Sequence, residues 1–274
     1  MTIQEWLTTT SSQLGSAGID TARLDALVLL SDELGHDKSW VLGHPEHALQ
    51  GSEIKKLSTK IIQRTQHIPL AYIRGIAEFY GRTFTVNEHV LVPRPESEAM
   101  IELLKKLPII PSTTIIDIGT GSGALAITAA LELPTARIVA TDIDPSTLTV
   151  ARNNAKQLHA AITFLQGDVL QPIIGVDPNV QNAVVLANLP YVPTTYPTNR
   201  AAAHEPSLAL FGGSDGLELY KKLCAQLMVF EHKPTTIITE SLVMQHPALT
   251  ELMKATGYNL VSADGLAQCF VHKH

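Results

Sequence analysis

Residues 117–123 read Asp-Ile-Gly-Thr-Gly-Ser-Gly and lie between an apolar stretch and a helical pattern. Glycines at a strand-to-helix junction permit a tight turn and let a ligand approach the backbone closely. Gly119, Gly121 and Ala124 also satisfy the dinucleotide-binding pattern G-x-G-x-x-G/A. On its own, the loop therefore leaves a nicotinamide cofactor and S-adenosylmethionine equally open.

Three further features favour S-adenosylmethionine. Asp117 would repel a pyrophosphate but suits the amino group and sulfonium of S-adenosylmethionine. Asp168 ends a third strand, where it can accept from an adenine amino group, whereas Asp142 suits ribose hydroxyls in either fold. A dehydrogenase has no particular need for the tetrapeptide at residues 188–191. The predicted cofactor-binding residues are Asp117, Gly119, Thr120, Gly121, Asp142, Asp168 and Asn188.

The tetrapeptide Asn188-Leu189-Pro190-Tyr191 fits methylation of a planar nitrogen. An amide nitrogen is a poor nucleophile, so it must be held in line with the methyl group that it attacks. The Asn188 side-chain oxygen and the Leu189 carbonyl can accept its hydrogens, while Pro190 stiffens the backbone. Tyr191 can pack its ring against the substrate. These four residues are the predicted catalytic residues.

Simpler interpretations exist for several of these residues. Asn and Pro are common turn residues, so the tetrapeptide alone is also typical of a turn after a strand. Asp168 can serve as a loop or helix cap. Asp144, just before Pro145, is predicted to be a helix N-cap and not a ligand. Cys224 lies in an apolar helical pattern typical of a buried thiol, and His44 and His47 lack the company of a metal site.

The elements that position these residues alternate from Thr113 onward between apolar strands and helices, which predicts an α/β fold with a parallel sheet covered on both faces. An antiparallel pair is expected at the end of the chain. The predicted strands are 115–118, 137–141, 162–165, 183–187, 236–239, 259–261 and 268–271, and the predicted helices between them are 123–131 and 145–159.

The first third of the chain reads as a small helical module. One helix is predicted around Leu24 to Leu34, with Asp20 as its N-cap and Gly35 as its end, and another begins near Ser52. Residues 83–92 alternate and break at 87–88, which predicts a hairpin. We therefore expect a helical domain over 1–74, a linker with this hairpin over 75–95 and the α/β domain over 96–274.

Composition limits the class of protein. The residues are 45% hydrophobic and 17% charged, as in a globular protein with a sizeable core. The net charge of −6 argues against stable nucleic-acid binding, which usually requires a basic surface. No apolar run approaches the length of a membrane span, the two cysteines form no C-x-x-C pair, and no secretory signal opens the chain. We expect a cytoplasmic monomer without a metal.

The chain resembles the bacterial protein-(glutamine-N5) methyltransferases that modify class-1 peptide chain release factors. The resemblance covers nearly the whole chain. It rests on four stretches: Pro-Leu-Ala-Tyr-Ile-Arg-Gly at 69–75 with Glu-Phe at 78–79, Leu-Val-Pro-Arg-Pro-Glu at 91–96, the glycine loop, and Glu-Pro at 205–206 with Leu-Phe-Gly-Gly-Ser-Asp-Gly at 210–216.

This resemblance implies a Rossmann-like, seven-stranded class I methyltransferase domain that uses S-adenosylmethionine, with an N-terminal helical domain that helps to dock the release factor. It implies that Asn188 and Tyr191 hold the glutamine amide of a Gly-Gly-Gln motif. It also implies that Arg94 and Glu96 shape the substrate entrance, although an internal salt bridge or a helix cap is the alternative for both.

The chain departs from the family pattern at three places. Leu189 replaces the first proline of the usual Asn-Pro-Pro-Tyr, Glu240-Ser241-Leu242 lacks the expected glycine, and residues 264–267 lack the usual basic residue. Four other functions stay open: a glutamine methyltransferase of a ribosomal protein, an N6-adenine methyltransferase, a non-catalytic protein that binds the release factor and, last, a nicotinamide-dependent oxidoreductase.

Overall fold

A computed structural model describes residues 1–176, 180 and 182–273 of the 274-residue chain. The chain divides into two compact units. The first unit comprises Met1–Ile76 and Asn199–His204, and the second comprises Ala77–Thr198 and Glu205–His274. The expected division at residues 74 and 95 into docking domain, linker and methyltransferase domain stays a prediction.

The first unit is helical. Its helices are α1 (Ile3–Ser16), α2 (Ala22–Leu34), α3 (Lys38–Gly43), α4 (Gly51–Thr65) and α5 (Leu70–Arg74). Trp6, Leu30 and Leu57 are among the buried side chains of its core. Residues 199–204 join this unit. Arg200 Nη1 lies 3.2 Å from His67 Nε2, and His204 Nε2 lies 2.9 Å from the Gln66 carbonyl oxygen.

The sequence predictions for α2 and α4 hold except at one cap. Helix α2 ends at Gly35, whose φ of 66° is left-handed, and α4 begins at Gly51. The predicted N-cap of α2 is wrong, because Thr21 occupies that position and makes no side-chain cap. The N-cap position thus lies one residue after Asp20, the predicted capping residue, and α2 begins at Ala22.

The predicted hairpin over 83–92 is also wrong. The structure has strands β1 (Ile76–Phe79) and β2 (Arg82–Thr85), joined by a two-residue turn. Tyr80 and Gly81 both have positive φ, at 49° and 70°, as a tight hairpin turn requires. The Asn87 side chain instead accepts from the His89 backbone at 3.0 Å in a local turn.

A seven-stranded sheet organises the second unit. The strands are β3 (Thr114–Ile118), β4 (Arg137–Asp142), β5 (Thr163–Gln166), β6 (Ala183–Ala187), β7 (Thr236–Glu240), β8 (Tyr258–Asp264) and β9 (Ala267–His272). They lie in the order β5-β4-β3-β6-β7-β9-β8, with the first five parallel and β9 antiparallel to both β7 and β8. The predicted α/β sheet and its terminal antiparallel pair are confirmed.

Alternate residues of the strands enter two separate cores, as expected when both faces of a sheet are covered. Ile115 and Val184 belong to one cluster, and Ile116 and Val185 belong to the other. The helices of this unit are α6 (Glu98–Lys105), α7 (Ala124–Glu132), α8 (Pro145–Gln157), α9 (Gln171–Val176), α10 (Ser207–Leu210), α11 (Glu218–Leu227) and α12 (His246–Ala255). Among the described residues, no helix combines the length and apolarity that crossing a membrane would require.

The strand register aligns the carboxyl ends of the central strands. Ile118 pairs with Thr141 on one side and with Ala187 on the other, and Ala187 pairs with Thr239. The order of the strands reverses between β3 and β6, and such a switch point is where open α/β sheets bind ligands. The loops after β3 and β6, which carry the glycines and Asn188, therefore begin side by side.

Candidate active site

The glycine loop turns sharply between β3 and α7. Gly119, Gly121 and Gly123 all have positive φ, at 68°, 56° and 83°, a conformation that side chains disfavour. The loop is tied to the end of β4, because the Gly121 N–H donates to Asp142 Oδ2 at 3.1 Å and the Thr120 N–H donates to the Thr141 carbonyl at 2.9 Å. Its backbone is thereby held at the carboxyl edge of the sheet.

Asp117 supports this loop from within the protein. Its Oδ2 accepts from the Thr120 hydroxyl at 2.6 Å and from the Ala126 N–H at 3.2 Å, and the residue is 1% exposed. Burial raises the pKa of Asp117 to about 6, although these hydrogen bonds lower it in part. The carboxyl group thus braces the loop, and its predicted contact with a cofactor stays a prediction.

The other two predicted aspartates also have partners within the chain. Asp142 accepts from the Asp144 N–H at 3.1 Å, and burial raises its pKa. Asp168 forms an ion pair with Lys222 on α11. Their predicted roles toward ribose and adenine therefore remain predictions. Asp144 accepts from the Ser146 N–H at 2.8 Å, which confirms it as the N-cap of α8.

The segment after β6 holds two polar side chains by hydrogen bonds to other elements. Asn188 Nδ2 donates to Ser97 Oγ at 2.9 Å, and the Tyr191 hydroxyl donates to Glu240 Oε1 at 2.9 Å. Leu189 is 3% exposed, and its Cδ2 would lie 3.3 Å from a Cβ placed on Gly119. The aliphatic residue that replaces the family's proline therefore packs directly against the glycine loop.

The Phe-Gly-Gly-Ser-Asp-Gly stretch at 211–216 braces this segment from behind. Val192 bridges to Phe211, and the Gly212 N–H donates to the Val192 carbonyl at 3.0 Å. A Cβ on Gly216 would lie 2.0 Å from the Tyr191 carbonyl oxygen, so the two backbones touch. Gln245 Nε2 donates to the Tyr191 and Asp215 carbonyls, both at 2.8 Å, and locks the two segments together.

Arg94 and Glu96, the predicted substrate-binding residues, lie in different surroundings. Arg94 pairs with Glu205, whose side chain is 2% exposed and which also accepts from the Val92 N–H at 3.1 Å. The internal salt bridge considered for Arg94 is therefore present, although Arg94 also lines the cavity described next. Glu96 is exposed.

An open cavity with about 720 Å³ of empty space, part of it open to solvent, lies where these segments meet. Eight of the predicted site residues line it: Arg94, Gly119, Thr120, Gly121, Asn188, Leu189, Pro190 and Tyr191. Among the residues that the structure describes, the lining does not include Asp117, Asp142, Asp168 or Glu96. The glycine loop and the Asn188 segment thus share one cavity, as the sequence predicts.

Comparison with known proteins identifies the family. Residues 5–75 match the PrmC N-terminal domain family, and residues 97–190 match the family described as ribosomal protein L11 methyltransferase (PrmA). The chain is 39% identical over 228 residues to the release factor glutamine methyltransferase of Moorella thermoacetica, which covers 81% of this chain and 79% of that one. The chain belongs to the release factor glutamine methyltransferase family.

Two further comparisons extend this finding. A bifunctional methyltransferase of Rickettsia felis is 31% identical over 293 residues, which cover 95% of this chain but 55% of that one, so the chain spans about half of that relative. The structure of the hMettl16 catalytic domain in complex with MAT2A 3′UTR hairpin 1 superposes with a TM-score of 0.55, 14% identity and 89% coverage of both chains. The likeness to hMettl16 concerns the fold alone. As a member of its family, this chain is a methyltransferase.

The glycine loop of this family member leaves open space beside its backbone. A Cβ on Gly121 would meet no atom within 4 Å, so the space beside this backbone is open. Ser122 and Leu125 continue the lining from the loop into α7. Open space beside a left-handed glycine is what close approach of a ligand to the backbone requires.

Ser97 and Glu240 are among the polar residues of the family member's cavity that sequence reasoning missed. Burial raises the pKa of the Glu240 carboxyl, and the nearby Ser97, Tyr191 and Asn188 side chains lower it only in part. Burial and Glu240 together raise the pKa of the Tyr191 hydroxyl above its ordinary value. The position of Glu240 at the carboxyl end of an apolar strand is a signal that the sequence contains.

The remaining candidates do not form sites. Cys224 is buried, and burial raises the pKa of its thiol to about 11, which confirms a structural thiol. His44 Nδ1 lies 2.8 Å from the Trp40 carbonyl oxygen, and the His44 ring stacks on the Trp40 ring. No group of three or more potential metal ligands occurs within the described ranges.

Proposed function

We propose that this chain transfers a methyl group from S-adenosylmethionine to the side-chain amide nitrogen, N5, of the glutamine in the Gly-Gly-Gln motif of a class-1 peptide chain release factor. The single observation that supports this most is the placement of Asn188-Leu189-Pro190-Tyr191 against the glycine loop in one cavity. The names of the relatives supply the substrate class.

S-adenosylmethionine, when bound, supplies an electrophilic methyl group on a sulfonium. The residues proposed to hold it are Asp117, Gly119, Thr120, Gly121, Asp142, Asp168 and Asn188. Lys222 holds the Asp168 carboxylate in this structure, so Asp168 must share or exchange that partner to bind an adenine amino group. Asp117 contributes by holding Thr120 and the start of α7 in place.

The chain's own residues orient the amide. The Asn188 side-chain oxygen and the Leu189 carbonyl accept the two amide hydrogens, which leaves the nitrogen lone pair directed at the methyl group. The Tyr191 ring packs against the planar amide. The Tyr191 hydroxyl already donates to Glu240, so it takes no part as a base. The surplus proton leaves after transfer, and positioning and exclusion of water provide the acceleration.

Two parts of the proposal concern the rest of the chain. The helical region at the N-terminus is proposed to help dock the release factor, since residues 5–75 match the PrmC N-terminal domain family. Arg94 and Glu96 are proposed to shape the entrance, with Arg94 held in place by Glu205. A ribosomal protein is the second candidate substrate, because residues 97–190 match the PrmA family.

The test is labelling of the purified protein's substrates with isotopic S-adenosylmethionine. The substrates are the organism's own release factor in wild-type and glutamine-to-alanine forms of the Gly-Gly-Gln motif, purified ribosomal proteins, and total RNA and DNA. The Asn188→Ala enzyme should lose activity by about a hundredfold or more, since it lacks one of the two acceptors that orient the amide. Asn153→Ala, an exposed asparagine on α8, is the matched control.

The outcomes separate the candidates. Label on the wild-type release factor alone, retained with Asn153→Ala and lost with Asn188→Ala, supports the proposal. Label on a ribosomal protein would identify that protein as the substrate in place of the release factor. Label on nucleic acid would favour adenine methylation. Cofactor binding without any label contradicts catalysis and favours a binding protein.

A further inference from the structure

Four polar side chains from different parts of the second unit meet beside the cavity: Ser97, Asn188, Tyr191 and Glu240. Ser97 lies 2.9 Å from Asn188, and Tyr191 lies 2.9 Å from Glu240. Ser97 is 4% exposed and Glu240 is 1% exposed. Of these four side chains, only Asn188 and Tyr191 belong to the tetrapeptide that the proposed function uses.

Ser97 is placed to connect its partner Asn188 with the pair formed by Tyr191 and Glu240. Glu240 Oε2 is buried and has no partner of good hydrogen-bond geometry among the described residues. The Ser97 and Asn188 side chains nevertheless lie near enough to this carboxyl group to lower its pKa. Ser97 Oγ accepts from Asn188 Nδ2, so its own hydrogen is not used in that contact. Ser97 and Glu240 are both buried and line the same cavity, which makes this hydroxyl the candidate donor for Glu240 Oε2.

The chemistry of these groups sets the direction of each hydrogen bond. An ionised carboxylate only accepts, and a hydroxyl has a single hydrogen to donate. If Ser97 donates that hydrogen to Glu240, it can only accept from Asn188, which must then present Nδ2 to Ser97. The Asn188 oxygen is left for the cavity, where a substrate amide needs an acceptor. A reversed Asn188 amide would direct its own N–H groups into the cavity, against the N–H groups of the substrate amide.

We propose that Glu240 is a positioning residue that fixes the orientation of the Asn188 amide through Ser97 and the orientation of the Tyr191 ring through its hydroxyl. The proposal rests on the proposed function, because it assigns Asn188 and Tyr191 the task of holding the substrate amide. It adds a residue outside the tetrapeptide that acts through both of the side chains assigned to the substrate amide.

The backbone beneath this arrangement is held firmly. The Tyr220 hydroxyl on α11 donates to the Ala187 carbonyl at 2.9 Å and also contacts the Glu240 carbonyl. Tyr220 is fully buried. Tyr220 therefore joins the carboxyl end of β6, which Asn188 follows directly, to the carboxyl end of β7, where Glu240 lies. This link holds the two side chains close together.

Glu240→Gln tests the proposal most directly. Glutamine keeps the size of the side chain but replaces one acceptor oxygen with a donor group, so Ser97 is free to donate to Asn188 and reverse it. We expect kcat to fall roughly ten- to a hundredfold, the scale of a misplaced orienting group. The melting temperature should change little.

Two companion variants sharpen this test. Ser97→Ala should lower kcat in the same way, and the double variant Ser97→Ala/Glu240→Gln should lose little more than the worse single variant, since both break one chain of hydrogen bonds. Thr239→Val is the matched control. Thr239 lies on the same strand as Glu240, and its hydroxyl is buried and has no hydrogen-bond partner in the described part of the chain, so kcat should stay at the wild-type value.

A second readout is independent of substrate. In the NMR spectrum of ¹⁵N-labelled protein, the Asn188 side-chain amide should be protected from hydrogen exchange in the wild type and lose that protection in Ser97→Ala and Glu240→Gln. This measurement decides the inference even if the wild type methylates no release factor, an outcome that would contradict the proposed function alone.

The proposal is supported if kcat falls in both single variants, the double variant loses little more than the worse single variant, and the Asn188 amide loses its protection. Wild-type kcat in folded Glu240→Gln, or multiplied effects in the double variant, would overturn the proposal. If Glu240→Gln does not fold, Ser97→Ala alone decides: unchanged kcat and unchanged amide protection in that variant reject the arrangement.

Discussion

Asp117 holds its carboxyl group where ionisation is unfavourable. It lies wholly inside the protein, and its pKa of about 6 exceeds the 3.8 of an exposed aspartate. The folded state therefore binds the Asp117 proton more tightly than the unfolded state does. Stability from this residue is fully present below pH 3.8 and is lost progressively as the pH rises from there through about 6.

The Asp117→Asn variant should remove this loss, because an amide does not ionise and its oxygen can still accept from Thr120 and Ala126. Its free energy of unfolding, relative to the wild type, should rise by about 2 kcal/mol between pH 4 and pH 7. Urea unfolding of both proteins at each pH measures this difference. A difference that does not change with pH would contradict the assigned pKa.

Leu189 and Gly119 offer a second test at the level of single residues. Gly119→Ala and Gly121→Ala both place a side chain at positive φ, at a cost of about 1–2 kcal/mol each. Only Gly119→Ala also crowds Leu189, so it should lower the free energy of unfolding by more than its control. Adding Leu189→Ala should relieve the crowding. Equal losses for the two glycines, measured by urea unfolding without cofactor, would count against this contact.

Single residues differ in how well the sequence predicts them. Gly119 and Asn188 stand out because their types and spacing have a chemical reason that is visible along the chain. Ser97 gives no such sign, and for Glu240 the sign is only its place at the end of an apolar strand. Both matter because the fold brings them into one cavity with Asn188, from which they lie 91 and 52 residues away along the chain. Asp168 is the opposite case: its type and position along the chain suggest a ligand, but the sequence contains no sign that Lys222 will pair with it.

At the scale of elements, the 211–216 segment explains why the Asn188 turn keeps its shape. Gly216 lies at φ 75° with the Tyr191 carbonyl oxygen 2.0 Å from the place of a Cβ. Gly213 faces the Glu218 side chain in the same way. Gly216 permits one backbone to lie on another and Gly213 makes room for a side chain, and both are requirements of packing and not of ligand binding.

Gly216→Ala should therefore destabilise the second unit by about 3 kcal/mol or more, the scale of an overpacked site with backbone strain. Gly265→Ala is the control, because Gly265 also has positive φ, at 56°, but no atom lies within 4 Å of its Cβ position. It should cost only about 1–2 kcal/mol. Similar melting temperatures for the two variants would contradict the proposed bracing.

The elements that the sequence predicts well are those with a strong apolar pattern. Strand β6 begins and ends where predicted, because five consecutive apolar residues are buried on both faces. The β1–β2 hairpin was placed wrongly because its turn uses Tyr80 at positive φ, which residue type alone does not indicate. Helix α12 went unpredicted, since its apolar face is short and its start depends on the turn around Gln245.

At the scale of the whole molecule, the two tryptophans provide a selective probe. Trp6 and Trp40 both belong to the first unit, and the chain has no others. Each unit has its own hydrophobic core, so we expect each to unfold as its own cooperative body. Gly216→Ala should then shift the urea transition seen by circular dichroism and leave the transition of tryptophan emission in place. A joint shift of both signals would show one cooperative body.

The segment Asn199–His204 has a consequence for how such proteins exchange parts. The chain passes between the two units three times, at 76/77, 198/199 and 204/205, and the six-residue return carries Arg200 and His204 to the first unit. The first unit is therefore not formed by one continuous stretch of the sequence. A recombination event that replaced residues 1–76 alone would separate this helical unit from the 199–204 segment that belongs to it, so the two pieces form one unit of exchange.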